Sequence, residues 1–236
     1  MYLSRLLHSI EDFVFPRECC GCGCVLAAGE RLLCPRCAIM LPREHVRDWW
    51  SNSRIRPYWD NRQLLRIGAF AIYHRDNIAA QMVHSLKFRQ RWQLGVVMGR
   101  MAGRELRSTG LFDDVEMLLP IPIALSRRWS RGYNQSEFIA EGLSAETGVP
   151  VRRDLIYRRR HRESQTHFSI LERQQVPTDL FALRPGAAEV LRGHCVMLVD
   201  DVITTGATMF SAITTLCDVP DVRIVAFGWS WTGMKR

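Results

Sequence analysis

Two aspartates, Asp200 and Asp201, stand at the end of an apolar run, Cys195 to Val199, and Thr204, Thr205, Gly206 and Thr208 follow closely. Carboxylates at this spacing can accept hydrogen bonds from neighbouring hydroxyls of a sugar. The hydroxyl-rich loop leads into Met209 to Leu216, whose pattern reads as the apolar face of a helix. Backbone N–H groups at a helix N-terminus lack partners and carry the positive end of the macrodipole, so a phosphate suits that position. The chemistry that fits both halves is a sugar carrying a phosphate a few ångströms from its hydroxyl pair. An ordinary strand-to-helix turn with an aspartate cap explains one acid and one threonine, but not the whole series. No lysine follows the glycine as in a Walker loop, and no GxGxxG of a dinucleotide fold is present.

A second chemistry sits near the N-terminus. Six of the eight cysteines fall between residues 19 and 37, and they include Cys19-x2-Cys22 and Cys34-Pro35-Arg36-Cys37. Two such pairs can close four thiolates into a tetrahedron about zinc, and four protein ligands leave no open position, so the ion is structural. Cys20-x3-Cys24 could supply the first pair instead, and His45 is a spare nitrogen ligand. Disulfides are the alternative use of these thiols, disfavoured where no export signal is read.

These groups need elements to hold them. Ile67 to Tyr73 and Met117 to Ile123 read as strands, as does Ile224 to Trp231. Asp76 is placed to cap a helix through Ala79, Ala80, Met82, Val83 and Leu86, with Lys87 at its end. A further helix from Trp92 turns Leu94, Val97, Met98, Met101 and Leu106 inward and its arginines outward. After the Met117 strand come Arg127, Arg128 and Arg131, then Gly132-Tyr133-Asn134-Gln135, a turn where ligands collect in open α/β sheets. Asn134 is a cap for a helix through Phe138, Ile139 and Leu143. Strands alternating with helices indicate an α/β domain around a parallel sheet.

The chain of 236 residues carries a net charge of +8, and of its 32 basic residues all but Lys87 and Lys235 are arginine. Guanidinium is the better phosphate fork, so an anionic partner is expected. Leu3, Leu6, Leu7, Ile10 and Val14 have helical spacing, but Glu11 and Asp12 interrupt them too early for a secretory core, which suggests a docking helix. No apolar run reaches the roughly 18 residues a membrane span requires, and the expected compartment is the cytoplasm. Residues 47 to 66 mix Trp49, Trp50, Tyr58 and Trp59 with arginines, which suits either a linker packed on the main domain or stacking with single-stranded nucleic acid.

The stretch CVMLVDDVITTGAT resembles the phosphoribosyl pyrophosphate (PRPP) motif of type I phosphoribosyltransferases. Together with LLPIPIALSRRWSRGYNQ, the paired cysteines, Ser85-Leu86-Lys87-Phe88, Ser164-Gln165-Thr166 and Glu172-Arg173, it resembles the ComF/GntX family. The resemblance implies a type I phosphoribosyltransferase-like parallel sheet flanked by helices, with a small hood, preceded by a small zinc ribbon. The expected division is 1–46 for an N-terminal helix and ribbon, 47–66 for a linker and 67–236 for the main domain. By resemblance, Asp200 and Asp201 hold the ribose, and Val202, Ile203, Thr204, Thr205, Gly206, Ala207 and Thr208 surround the 5′-phosphate. Arg127, Arg128, Arg131 and Lys87 face the rest of PRPP, which arrives with Mg²⁺. The family further implies an accessory role in DNA uptake and natural transformation, with single-stranded DNA and DNA-uptake proteins as partners. The other implied function is transfer of ribose 5-phosphate from PRPP to a base or amine. Two features set this chain apart: Gln174-Gln175-Val176 stands where the family places Asn-Val, and a cluster of arginines between Arg152 and Arg162 lies in an expected hairpin or hood.

Overall fold

The computed structural model describes residues 17–44, 61–88, 91–159 and 179–232. The helix read over Leu3 to Val14, His45, the aromatic stretch up to residue 60, Ser164 to Thr166, Glu172 to Val176 and part of the arginine cluster lie outside the described residues.

In chain order, the elements that position the site begin with helix α1 (Pro35–Met40) in the cysteine segment. Strand β1 (Leu64–Tyr73) and helices α2 (Ile78–Phe88) and α3 (Trp92–Leu106) follow, then strand β2 (Met117–Pro120) and helices α4 (Leu125–Arg131) and α5 (Gln135–Thr147). A short hairpin-like pair, β3 (Ile156–Arg158) and β4 (Phe181–Leu183), leads to α6 (Ala187–Leu191), β5 (Cys195–Ile203), α7 (Ala207–Cys217) and β6 (Arg223–Thr232). Four strands form one parallel sheet in the order β1-β6-β5-β2, while β3 and β4 pair antiparallel.

The apolar run Cys195 to Val199 is buried on both faces, as a central parallel strand must be. Cys195, Met197 and Val199 face a core shared with α2, α3 and α5, whereas Val196 and Leu198 face one shared with α6, α7 and the β3–β4 pair. The chain therefore leaves β2 toward the first layer and β5 toward the second. Adjacent strands whose connections part in this way open a crevice at their carboxyl ends, where open α/β sheets bind ligands.

Several boundaries differ from the sequence reading for physical reasons. Strand β5 continues through both aspartates to Ile203, because β6 keeps pairing with it as far as Trp231. Strand β1 begins at Leu64, inside the stretch read as a linker. The cap of α2 is Asn77, not Asp76: its Oδ1 accepts the Ala80 N–H at 3.0 Å while its amide donates to Ile72 O at 2.7 Å. Strand β2 stops at Pro120 instead of reaching Ile123. The arginine turn is a two-turn helix, α4, ended by Gly132 at φ 81°.

Helix α3 packs on α5 through glycine, a feature the apolar pattern did not show. A Cβ at Gly99 would lie 2.1 Å from Ile139 O, and one at Gly142 would lie 2.2 Å from Val96 O. Val97 and Met101, read as inward, sit at the margin of this contact. Residues 42–44 cover the free edge of β1, with Ile72 N–H donating to Pro42 O at 2.8 Å and Glu44 N–H donating to Phe70 O at 2.9 Å. Arg43 then forks onto Glu105 of α3 at 2.6 and 2.8 Å. No helix among the described residues is long and apolar enough to cross a membrane.

Candidate ligand site and cysteine centre

The register decides where the acids are exposed. Pro120 of β2 is paired with Val199, so Asp200, the next residue of β5, projects beyond the end of β2 while Gly228 of β6 supports its other side. Asp200 Oδ1 accepts from Ser136 Oγ at 3.1 Å and from Asp201 N–H at 2.9 Å. Asp201 Oδ2 lies 2.8 Å from Lys87 Nζ, which is carried by the last turn of α2. The lysine singled out by composition thus meets the second acid of the pair. Burial pushes the Asp200 carboxyl up to about 7, and the charge of Asp201 pushes the same way. The Asp201 N–H, Lys87 and Ser136 oppose that shift.

Asn134 fixes the far wall. It is buried, its Oδ1 caps α5 by accepting Ser136 N–H at 3.2 Å, and its amide donates to Ile121 O at 3.0 Å. One side chain therefore ties the end of β2 to the start of α5, and Ser136 is aimed at Asp200 as a result. The Tyr133 hydroxyl donates to Leu86 O, joining the same turn to α2. Sequence reading found the cap at Asn134 but not Ser136. Its signal was its place, two residues past a capping asparagine.

Thr204 and Thr205 are exposed at the tip of β5, Val202 and Thr208 are partly exposed, and Gly206 turns the chain at φ 82° into α7. Thr205 Oγ1 accepts Ala207 N–H at 3.4 Å. Hydroxyls, backbone N–H groups and the positive end of an eleven-residue helix therefore meet a short distance along β5 from the carboxylates.

The three arginines of α4 diverge. Arg131 Nη1 donates to Gln135 Oε1 at 3.0 Å and its guanidinium lies over the Phe88 ring at 5.4 Å, so it braces the turn. Arg128 is 3.7 Å from Glu137 and lines a 380 Å³ pocket with Asn134, Tyr157, Arg158 and Arg184. Arg127 is close enough to disfavour the charge on Arg158, whose pKa is lowered chiefly by burial and partly restored by Asp200. Arg158, on the strand read as hood, is thus within electrostatic reach of Asp200.

The cysteine centre is compact. The sulfurs of Cys19, Cys22, Cys24 and Cys34 all lie within 4.8 Å of one another, with Cys22 and Cys34 at 3.9 Å. Zinc–sulfur bonds of about 2.3 Å put the corners of a tetrahedron about 3.8 Å apart, so the thiols fit that ion. Gly21 and Cys34 donate their N–H groups to Cys19 Sγ, both at 3.4 Å, and Cys37 N–H donates to Cys34 Sγ at 3.5 Å. The Cys24 N–H and thiol draw Cys22 down to about 6, into the range of a ready thiolate. Cys37, read as the fourth ligand, is a buried fifth thiol beside the four: it engages the thiols of Cys22, Cys34 and Cys19, and a Cβ on Gly21 would meet its sulfur at 2.9 Å. Cys20 turns away, and its sulfur accepts from Arg91 at 3.1 Å.

A parallel sheet with a carboxylate pair and a hydroxyl-bearing loop at one end, joined to a four-thiol module, defines an α/β protein with a thiol cluster of a size that can hold a metal ion. No protein-family model matches the chain. Among curated proteins it is similar to Competence protein F of Haemophilus influenzae, 29% identical over 156 residues and 65% of each chain. It is likewise similar to DNA utilization protein YhgH of Salmonella typhimurium, 31% identical over 54% of this chain and 56% of that one. The Escherichia coli (strain K12) protein of the same name is 24% identical over 76% and 75%. The chain thus covers just under two thirds of the Haemophilus relative and little more than half of the Salmonella one. Its likeness is thus to competence and DNA-utilization proteins. Two solved structures that it resembles are the allosteric regulatory enzyme of purine biosynthesis and an adenine phosphoribosyltransferase from Leishmania tarentolae. The first gives TM-score 0.41 at 15% identity, over 61% of this chain and 29% of that one; the second gives 0.38 at 12%, over 68% and 90%. At those scores the likeness decides nothing.

Proposed function

We propose that the protein is an accessory factor of DNA uptake that binds PRPP or a closely related sugar phosphate and works in the cytoplasm. The observation that carries the ligand reading is the joint placement of Asp200, Asp201 and Lys87 at the carboxyl end of β5, one short loop from the N-terminus of α7. Asp200 and Asp201 accept the ribose hydroxyls, and the loop from Val202 to Thr208 holds the 5′-phosphate. Arg127, Arg128 and Lys87 face the pyrophosphate, while Arg131 braces the turn beneath them. Mg²⁺ arrives with the pyrophosphate and neutralises it. The DNA-uptake part rests on the names of the relatives, and single-stranded DNA is the partner those names suggest.

The cysteine centre holds a structural zinc. Cys19, Cys22 and Cys34 are three of its ligands, with Cys24 or Cys37 as the fourth. Its task is to fix the segment that covers the edge of β1.

A second reading, pentosyl transfer to a base or amine, is favoured by Asp200, whose carboxyl pushed up to about 7 can take a proton from an incoming nucleophile near neutral pH. Catalysis would then be mostly positioning and charge stabilisation.

The test is calorimetric titration of the zinc-loaded protein with PRPP and Mg²⁺, in parallel with the double substitution D200N/D201N. Binding that disappears in the double variant supports the site as described. A wild-type protein that takes up no PRPP overturns the ligand reading and leaves the motif as scaffold. Pyrophosphate release with a panel of bases separates the binding reading from the transferase one.

A further inference from the structure

A second recess lies far from the acid pair in the chain, where the cysteine segment meets α3. It is a groove of about 650 Å³ whose floor is Leu32, Trp92, Val96 and Val97 and whose rim carries Arg17, Arg31, Arg91 and Arg100. Four guanidinium groups face a single carboxylate there, that of Glu18. Two of the arginines are fixed by the fold: Arg91 donates to Glu18 O at 3.0 Å, and Arg17 donates to Glu30 O at 3.2 Å. Among the described residues, Arg31 and Arg100 pair with no carboxylate, and both are exposed. Trp92 is 43% exposed, and its inner face is propped by the Phe138 ring at 5.0 Å. A large aromatic surface is therefore held rigid and left open between positive charges.

We infer that this groove is a docking surface for single-stranded nucleic acid, with a base stacked on Trp92 and the backbone phosphates on Arg31 and Arg100. This assignment rests on the DNA-uptake reading above and gives it a location. Charge complementarity calls for an anionic occupant, and the apolar, aromatic floor selects among anions. Every base has a π-face to lay on an indole, and stacking on an aromatic platform between arginines is how single strands are held without sequence preference. An acidic polypeptide would satisfy the arginines but offer nothing planar to the floor. The position also gives the cysteine centre a second task, since Leu32, Arg31 and Arg17 all belong to its segment. Loss of the bound metal would dismantle one wall.

The experiment is fluorescence anisotropy of a labelled oligodeoxythymidylate with the full-length, zinc-loaded protein over a range of salt. The variants are R31E/R100E, which changes only exposed side chains, and W92A. The double variant is expected to weaken binding roughly ten-fold or more and to reduce the slope of log affinity against log salt by about 1.4, for two lost phosphate contacts. W92A is expected to weaken binding at every salt concentration with the slope unchanged. Unaltered thermal unfolding and zinc content in R31E/R100E show that the fold is intact. Wild-type protein that retains no oligonucleotide overturns the DNA-uptake reading itself. Wild-type binding that both variants preserve overturns only the groove. Displacement of the oligonucleotide by polyglutamate at equal charge concentration, with W92A behaving as wild type, would make the groove a site for acidic polypeptide and sink the proposal.

Discussion

Lys87 Nζ stands 2.8 Å from Asp201 Oδ2, and both side chains are largely withdrawn from water, at 23% and 11% exposure. The pair joins the end of α2 to the tip of β5, so the acid dyad carries its own counter-ion before any ligand arrives. A divalent cation or a diol that approaches Asp201 must share it with this ammonium. K87M removes the charge and keeps the apolar stem. We expect PRPP affinity to fall about ten-fold, because a buried charge-assisted contact is worth about 1.5–3 kcal/mol. Titration calorimetry measures it. Equal affinity in the variant would make Lys87 a mere neighbour of the site.

Asp200 gives a pH signature whose sign can be worked out. Its carboxyl holds a proton in the fold up to about 7, against an ordinary value of 3.8. Stability from that proton is complete below the ordinary value and is lost as pH rises through about 7. D200N keeps the Oδ1 that accepts from Ser136 and Asp201 and places a neutral amide where the second oxygen was. The difference in Tm between D200N and wild type is therefore expected to be small near pH 4 and to favour the variant above pH 7. Thermal scans across that interval check it, and a variant less stable than wild type at pH 8 would contradict the burial of this carboxyl. The same substitution is expected to weaken PRPP binding, which is the usual exchange of stability for function at a strained site.

The cysteines divide into two groups by where their sulfurs point. Cys34 is buried, belongs to the cluster of sulfurs within 4.8 Å and caps α1 through its thiol, whereas Cys20 faces Arg91 and the main core. C20S is accordingly expected to retain one zinc per chain and C34S to lose it, as read by metal content after gel filtration. C24S and C37S compared in the same way decide the fourth ligand: the true ligand loses zinc on substitution, and the spare thiol does not. Zinc bound equally by C20S and C34S would mean that the cluster is not the metal centre.

How much of this was legible in the sequence depended on the length scale of each signal. Strand β5, its two acids, the hydroxyl loop and α7 lie in one run of neighbouring residues, so local pattern sufficed to find them. The Lys87–Asp201 pair spans most of the domain, and composition could single out Lys87 but not name its partner. Ser136 was missed because its role comes from a register: β2 ends at Pro120, and that alone leaves Asp200 open toward α5. The sequence reading paired Cys37 with Cys34 and offered Cys24 only with Cys20 in place of the first pair, because spacing says which thiols can share an ion and not which way a knuckle turns. Asn77 displaced Asp76 as the cap for a similar reason, since its amide has Ile72 O to bond as well.

The glycines of α3 supply the most severe test of the architecture. Gly95, Gly99 and Gly103 recur at four-residue spacing on one face; Gly99 meets Gly142 of α5 backbone to backbone, while Gly95 faces Phe138 and Gly103 faces Glu146 and Leu143. The contact is buried on the face of the sheet that carries Met197 and Val199, and α5 starts at the turn that holds Asn134 and Ser136. G99A would set a methyl 2.1 Å from Ile139 O, a backbone atom with no rotamer to give way. The helices must part, and overpacking of this kind costs about 3 kcal/mol or more. Because α5 would shift as a body, Ser136 would leave Asp200, and PRPP binding is expected to weaken although the substitution lies outside the site. S136A separates the two effects: it removes the contact to Asp200 without moving α5. Chemical denaturation and calorimetry on both variants should show G99A losing stability and affinity together and S136A losing chiefly affinity. A G99A protein with wild-type stability would mean that α3 and α5 do not pack backbone to backbone.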